Sequence, residues 1–322
     1  MTVVDVLHAR RRIAPHVRRT SLIPSEWLSD ALGTTVSLKL ESLQVSHSFK
    51  ARGAFNAVIT RREREGAGLR WLVTASAGNH GLALAGAAKR FGLPLVVFTP
   101  SDAPKAKLDP IRRHGATLHA EAGDYDDAEQ MAKKFAESTG AAFISPYNDA
   151  DVIAGAATIA LELFEDAPDI ATIVVPIGGG GLISGVAATA KAISPSCRVI
   201  GVEVAASCAF QTSVRAGHLV EIVPEPTLAD GLGGNPDPDT VTFGMIQRFV
   251  DEIVTVGEDE LARSIVALLE HEHLIAEGAG AVGPAALACK RVAVSRRGHV
   301  AVIVSGGNID CGRMASLLAG TG

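Results

Sequence analysis

Lys50 sits in the stretch Ser46-His47-Ser48-Phe49-Lys50-Ala51-Arg52-Gly53-Ala54. A β-like run, Val36 to Leu40, precedes it, and a helix-like run from Ala51 to about Glu63 follows. A lysine where a strand hands over to a helix can face a cleft. Desolvation there lowers its pKa and frees the amine as a nucleophile. Amine nucleophiles form Schiff bases, and their commonest biological partner is pyridoxal phosphate. A single lysine is more often a solvated surface group, so the reading depends on what other loops supply.

Gly178-Gly179-Gly180-Gly181-Leu182 follows a buried strand-like run and opens a helix. Each glycine costs about 0.5–1 kcal/mol relative to Ala inside regular structure, so four would cost roughly 2–4 kcal/mol. Backbone N–H groups converging on an anion offset that cost, and the helix N-terminus behind them adds favourable partial charge. A tight strand-to-helix turn would need only one or two glycines. The loop therefore reads as a phosphate cup. A dinucleotide site is the competing reading, with Gly178-Gly179-Gly180 as Gly-x-Gly and Glu203 near the ribose-binding position. The spacing to Gly185 is too long for that fingerprint, and the motif is not in the opening strand.

Ser76-Ala77-Gly78-Asn79-His80-Gly81 lies between a strand and a helix. The Ser76 hydroxyl and the loop N–H groups can hold a carboxylate, and the Asn79 amide can donate to a phenolic oxygen. An ordinary helix cap uses the same residue types. Ser305-Gly306-Gly307-Asn308 follows the last apolar run, where a hydroxyl beside glycines can approach a ring edge closely; a plain turn is the alternative.

These loops must be placed by regular elements. Short apolar runs at 71–74, 95–99, 117–120, 142–145, 172–177, 199–204, 252–256 and 300–304 alternate with helix-like segments at 79–91, 103–114, 125–138, 152–164, 182–193, 259–273 and 280–291. A short helix is expected near 310–318. Such alternation specifies parallel sheets in an α/β fold. Residues 205–240, with four prolines, read as irregular. The arrangement expected is two-lobed, each lobe a mostly parallel sheet flanked by helices. Residues 66–149 form the small lobe; residues 1–65 and 150–322 form the large one. A cofactor would sit in the cleft between them.

The apolar content is ample for a sizeable core. Apolar residues make up 47% of the chain and aromatics only 4%, so the core is aliphatic. The net charge of -5 argues against a nucleic-acid binder. Cys197, Cys208, Cys289 and Cys311 show no Cys-x-x-Cys spacing and read as reduced thiols, neither a disulfide frame nor a zinc site. No segment reads as a signal peptide or a membrane span. The expectation is a soluble cytoplasmic protein with neither nucleic acid nor membrane as partner. His271-Glu272-His273 places its histidines on different sides of a helix and reads as a solvated end, not a metal motif.

Taken together, the four loops resemble those of the threonine dehydratase branch of pyridoxal-phosphate enzymes of fold type II, the tryptophan-synthase-β-like fold. The resemblance spans nearly the whole chain. Ser48-Phe49-Lys50-x-Arg52-Gly53-Ala54 is similar to the family's cofactor-lysine motif. Ala75-Ser76-Ala77-Gly78-Asn79-His80-Gly81 is similar to its substrate-carboxylate loop, Gly178–Leu182 to its phosphate loop, and Ser305-Gly306-Gly307-Asn308 to its pyridine-nitrogen loop. The resemblance implies that Lys50 attaches the cofactor and removes the substrate's α-proton. It implies that Phe49 packs on the ring and Asn79 bonds the cofactor's 3-oxygen. Gly178, Gly179, Gly180, Gly181 and Leu182 would hold the phosphate, and Ser305 would bond the ring nitrogen. Ser76, Ala77, Gly78, Asn79 and His80 would receive the amino-acid substrate.

The activity implied is elimination of water from a β-hydroxy amino acid such as L-threonine or L-serine, giving a 2-oxo acid and ammonia. A hydroxyectoine-type or 3-hydroxyaspartate-type dehydratase and a serine racemase-like isomerase are the alternatives; an NAD-binding oxidoreductase is the remaining one. Thr227–Gly234 and Glu277-Gly278-Ala279-Gly280-Ala281 resemble the hydroxyectoine-utilisation subgroup. Ala77 stands where serine racemases carry a second serine, which counts against efficient racemisation. Glu203 matches one ligand of their divalent-metal site, but Ala209 replaces the Asp, so no metal is expected. Gly155-Ala156-Ala157-Thr158 replaces the common Gly-Gln-Gly-Thr. The short stretch after Ser305 implies no isoleucine feedback through a regulatory domain. A homodimer or homotetramer is the assembly carried over from the family.

Overall fold

The apolar runs pair side by side, because strands covered on both faces need apolar residues at every position. The computed structural model describes residues 1–295 and 298–320. The chain begins with α1 (Val3–Ile13), β1 (Leu22–Pro24), α2 (Glu26–Leu32) and β2 (Val36–Leu40), then enters α3 (Lys50–Glu65). Next come β3 (Leu72–Ala75), α4 (Asn79–Phe91), β4 (Leu95–Pro100), α5 (Lys105–Arg113), β5 (Thr117–Ala122), α6 (Tyr125–Thr139) and β6 (Ala142–Phe143). α7 (Ala150–Asp166), β7 (Ile170–Pro176), α8 (Gly181–Ile193), β8 (Arg198–Val204) and α9 (Ala209–Ala216) follow. The chain continues through α10 (Val241–Phe249), β9 (Glu252–Val256), α11 (Glu258–Glu272), α12 (Gly278–Ala288), β10 (His299–Val304) and α13 (Cys311–Leu318).

The strands form two sheets. The larger has the order β1-β2-β10-β7-β8-β9 and is parallel except for the antiparallel edge strand β1. The smaller, β5-β4-β3-β6, is parallel throughout. In the larger sheet Val302 lies opposite Leu38 and Val174, and the three share one core with α11 and α12 residues such as Leu261 and Val282. Their neighbours Ile303, Ala301 and Ile173 point to the other face, against Ile159 of α7 and Ile183 of α8. The smaller sheet has its own two faces: Leu72 and Val97 pack with Leu84 of α4, and Val73 and Val96 with Ala128 and Ala132 of α6. Each fully buried Val or Leu contributes about 1.5–3 kcal/mol. This is the α/β architecture with helix-flanked parallel sheets that the alternation specifies.

Three helices approach one another unusually closely beneath the loops. A Cβ on Gly53 of α3 would lie 2.8 Å from the Val152 carbonyl oxygen of α7. One on Gly155 of α7 would strike the Arg52 carbonyl of α3, and one on Gly185 of α8 would lie 2.6 Å from the Ile153 carbonyl oxygen of α7. Main chain therefore rests on main chain across α3, α7 and α8.

Several elements differ from the sequence expectation. Residues 205–240 are not wholly irregular: α9 lies within them, with a short 3-10 turn at Asp230–Leu232. The α9 N-terminus is held by the distant carboxylate of Glu203, which accepts from Phe210 N at 2.9 Å and Gln211 N at 2.7 Å. α10 is a further addition, although Thr240 caps it by accepting from Thr242 N at 3.3 Å. α1 begins with a capping box between Thr2 and Asp5, and β1 and α2 complete the set that the alternation omits. The strand expected at 142–145 ends at Phe143.

Candidate active site

The loops singled out by their residues all leave the C-terminal ends of parallel strands, where α/β sheets bind ligands. Lys50 is the first residue of α3. Just before it, Ser46 and His47 have φ of 60° and 56°, a left-handed conformation that costs non-glycine residues about 1–3 kcal/mol each. Bonds to the Ser305 loop hold this turn. Gly307 N donates to His47 O at 2.9 Å, Asn308 Nδ2 to Ser46 O at 2.9 Å, and Phe49 N to Ser305 O at 3.0 Å. The lysine loop and the Ser305 loop are thus one stitched unit.

The Lys50 ammonium donates to Pro146 O at 2.8 Å and stands 5.1 Å from the centre of the Phe49 ring. Desolvation lowers its pKa to about 8, against the opposing pull of the Glu277 carboxylate. An amine so poised is a nucleophile near neutral pH. Two residues further on, Arg52 is 1% exposed and bonded to Glu41 and Glu162. Glu162 also receives Lys39, which is wholly buried. Two cations and two carboxylates therefore neutralise one another and anchor α3 to β2 and α7.

The glycine loop connects β7 to α8. Gly180 has φ of 85°, and a Cβ there would lie 2.9 Å from Thr242. On Gly179 a Cβ would enter the Tyr147 ring, and on Gly178 it would lie 3.1 Å from Gly231 O. Side chains here would collide with those neighbours, so only glycine lets the loop backbone lie this close, and α8 starts at its rim. Those are the features of an anion site.

In the third loop, Ser76 Oγ accepts from Gly78 N at 3.2 Å and Gly81 N at 3.0 Å. That is the capping role of a serine, and it leaves the hydroxyl hydrogen for another acceptor. Ala77, Gly78 and Asn79 are partly exposed beside it. His80 is 3% exposed and turned inward, with Nε2 3.3 Å from Ile144 O. Burial, then the Lys50 charge, pushes its pKa down to about 3, so it is neutral. Ser305 is buried, and its hydroxyl donates to Ala279 O at 3.1 Å. Leu182 is buried in the first turn of α8.

Two residues of this site have no role in the sequence reading. Glu277, at the N-cap of α12, accepts from Asn79 Nδ2 at 2.6 Å. Burial raises its pKa to about 7, with the Asn79 bond and the Lys50 charge acting the other way. Its only local signal is a lone acid before a glycine-rich helix start. Tyr147 packs on the glycine loop and its hydroxyl accepts from Asp237 N at 3.0 Å. Glu203, considered for a ribose or a metal, has both carboxylate oxygens committed to α9 amides.

A nucleophilic lysine, an anion cradle and a polar loop at strand ends define an enzyme that uses a phosphorylated aldehyde cofactor. Residues 13–306 match the family of pyridoxal-phosphate dependent enzymes, and the chain belongs to that family. It is 43% identical to the L-threonine ammonia-lyase of Thermotoga maritima over 310 residues, 96% of this chain and 76% of that one. Among solved structures, maize serine racemase superposes with a TM-score of 0.92 at 32% identity, covering 99% of this chain and 97% of that one. Processed threonine deaminase isoform 2 of Solanum lycopersicum gives 0.88 at 31% identity, covering 98% and 91%. The glycine cradle and the desolvated amine fit the cofactor: one suits its phosphate and the other its aldehyde.

Proposed function

We propose that the protein is a pyridoxal-phosphate-dependent ammonia-lyase that removes water from a β-hydroxy amino acid such as L-threonine or L-serine. The observation that carries this reading is the Lys50 amine, desolvated and stitched to the Ser305 loop, in a chain similar to L-threonine ammonia-lyases. When bound, the cofactor supplies an electron sink for the substrate's α-carbon.

The protein's own residues do the rest. Gly178–Gly181 and the start of α8 would bind the phosphate, Phe49 would pack on the ring, and the Ser305 hydroxyl would turn from Ala279 O to meet the ring nitrogen. Asn79 would donate to the ring oxygen. The free N–H groups of the Ser76–His80 loop and the Ser76 hydroxyl orient the substrate carboxylate. Lys50 would take the α-proton, the β-hydroxyl would gain a proton and leave as water, and addition of water to the resulting enamine's imine form would yield a 2-oxo acid and ammonia. His80 is neutral and turned inward to Ile144 O, which leaves Lys50 as the base of this scheme.

Serine racemisation is the second reading, because a serine racemase shares the fold closely. Ala77 offers no proton to the opposite face of the α-carbon, which favours elimination. Hydroxylated substrates of hydroxyectoine or 3-hydroxyaspartate type stay within the same chemistry. The four cysteines are unpaired, which supports a reducing compartment such as the cytoplasm. No helix among the described residues is long and apolar enough to cross a membrane. A homodimer or homotetramer is the assembly we expect, read by light scattering.

The test is an absorption spectrum of the purified protein, repeated with a panel of β-hydroxy amino acids while 2-oxo acid and D-isomer are assayed. A near-visible band, with oxo acid from L-threonine or L-serine, is the expected result. A shifted band with D-isomer and no oxo acid would replace elimination by racemisation. No band after adding pyridoxal phosphate would overturn the reading.

A further inference from the structure

The side-chain amide of Asn79 is held at both ends. Nδ2 donates to Glu277 Oε1 at 2.6 Å, and Oδ1 accepts from Asn308 Nδ2 at 2.7 Å. A primary amide has two N–H donors and one carbonyl oxygen. With one donor and the oxygen engaged, the second N–H of Asn79 is the donor left over. Turning the amide over would set its carbonyl against the Glu277 carboxylate and its NH2 against that of Asn308. The clash with the Asn308 NH2, itself fixed by Ser46 O, holds whether or not Glu277 carries a proton, so the network selects a single orientation.

The two holding groups are themselves fixed. Asn308 Nδ2 also donates to Ser46 O at 2.9 Å, in the left-handed turn before Lys50. Glu277 N donates to Gly306 O at 3.1 Å, and a Cβ on Gly306 would collide with the Glu277 carboxylate. The carboxylate therefore lies flat against the backbone that follows Ser305. Lys50, Asp230 and Lys107 are the charged groups whose fields reach it.

We propose that Glu277 and Asn308 are positioning residues that lock the Asn79 amide so that its free N–H points to the ring oxygen of bound pyridoxal phosphate. The inference rests on the function proposed above. It assigns no chemistry to Glu277 itself. It assigns to Glu277 and Asn308 the choice of which Asn79 atom faces the cofactor.

The experiment compares the holoenzymes of E277A, E277Q and N308A with the wild type. The readouts are the position of the cofactor band, the dissociation constant for pyridoxal phosphate, kcat and KM, and the melting temperature. E277A and N308A should each shift the band, weaken cofactor binding about tenfold and lower kcat about tenfold, the loss of one oriented hydrogen bond. KM for the amino acid should stay within about threefold, since only uniform binding would alter KM alone. E277Q keeps an oxygen that accepts from Asn79 and should recover most of the loss. A wild-type band, affinity and kcat in both alanine variants would overturn the inference. So would an E277Q as impaired as E277A, because charge rather than orientation would then be responsible. Should E277A melt too low to study, N308A decides. A wild type that shows no band at all would count against the proposed function instead.

Discussion

Arg52 offers the sharpest stability test. Its guanidinium donates to Glu41 at 2.8 and 2.9 Å, to Glu162 at 2.7 and 2.9 Å and to Thr158 at 3.1 Å. The side chains of Arg52, Glu41, Glu162 and Lys39 are at most 7% exposed, so solvent screens little of the interaction. The four formal charges cancel: Lys39 and Arg52 against Glu41 and Glu162. Arg52→Met removes one cation: Glu162 keeps Lys39, but Glu41 is left buried with no charged partner. Breaking a buried pair from one side costs about 3–5 kcal/mol. At about 2 °C per kcal/mol for a chain of this size, the melting temperature should fall by roughly 6–10 °C. Adding Glu41→Gln removes the stranded charge and leaves the Lys39–Glu162 pair intact. The double variant should therefore be more stable than Arg52→Met alone, with a coupling of about 0.5–3 kcal/mol. Scanning calorimetry of wild type, both single variants and the double variant supplies the cycle. A single variant melting within about 2 °C of wild type, or a double variant showing the full sum of both losses, would refute the reasoning.

Gly179→Ala drives a Cβ into the Tyr147 ring. Pyridoxal phosphate affinity should drop about tenfold or more, measured by titrating the cofactor band. The Lys50 pKa of about 8 predicts that cofactor uptake by the apo-protein accelerates with rising pH and levels off above about pH 8, measured by stopped-flow absorbance. Burial raises the Glu203 pKa to about 7 from the ordinary 4.5. The folded state then holds a proton that the unfolded state has lost, so this stabilising contribution is complete below pH 4.5 and declines as pH rises through 7. Glu203→Gln should flatten that decline, which amounts to roughly 3 kcal/mol, when urea midpoints are compared from pH 4 to 8.

What the sequence discloses follows the range of the forces involved. Strands such as Glu252–Val256 and helices such as Asn79–Phe91 are legible because apolar runs and glycine stops are local. The glycine cradle is legible for the same reason: its cost in regular structure is a property of the residues themselves. α9 is hidden because its cap, Glu203, comes from the end of a neighbouring strand, and prolines follow it. The caps of α1 and α10 are local, so Thr2, Asp5 and Thr240 are signals that the sequence does offer. Glu277 is hidden because nothing near it in sequence shows that it will be buried beside Asn79 and Lys50. Ser76 shows the converse: both its capping bonds and its place in the candidate site can be read from one short motif.

The contact of α3, α7 and α8 through Gly53, Gly155 and Gly185 acts as a gauge block. α3 carries Lys50 at its tip and α8 begins at the glycine loop, so their separation is measured in main-chain atoms. Main-chain atoms have no rotamers to exchange. Ordinary drift in the surrounding aliphatic core can thus change how firmly the protein holds together while leaving the span from amine to anion cradle unaltered. A lineage could exchange Leu for Ile or Val across that core without recalibrating the span; a single added methyl at Gly155 would force it to change.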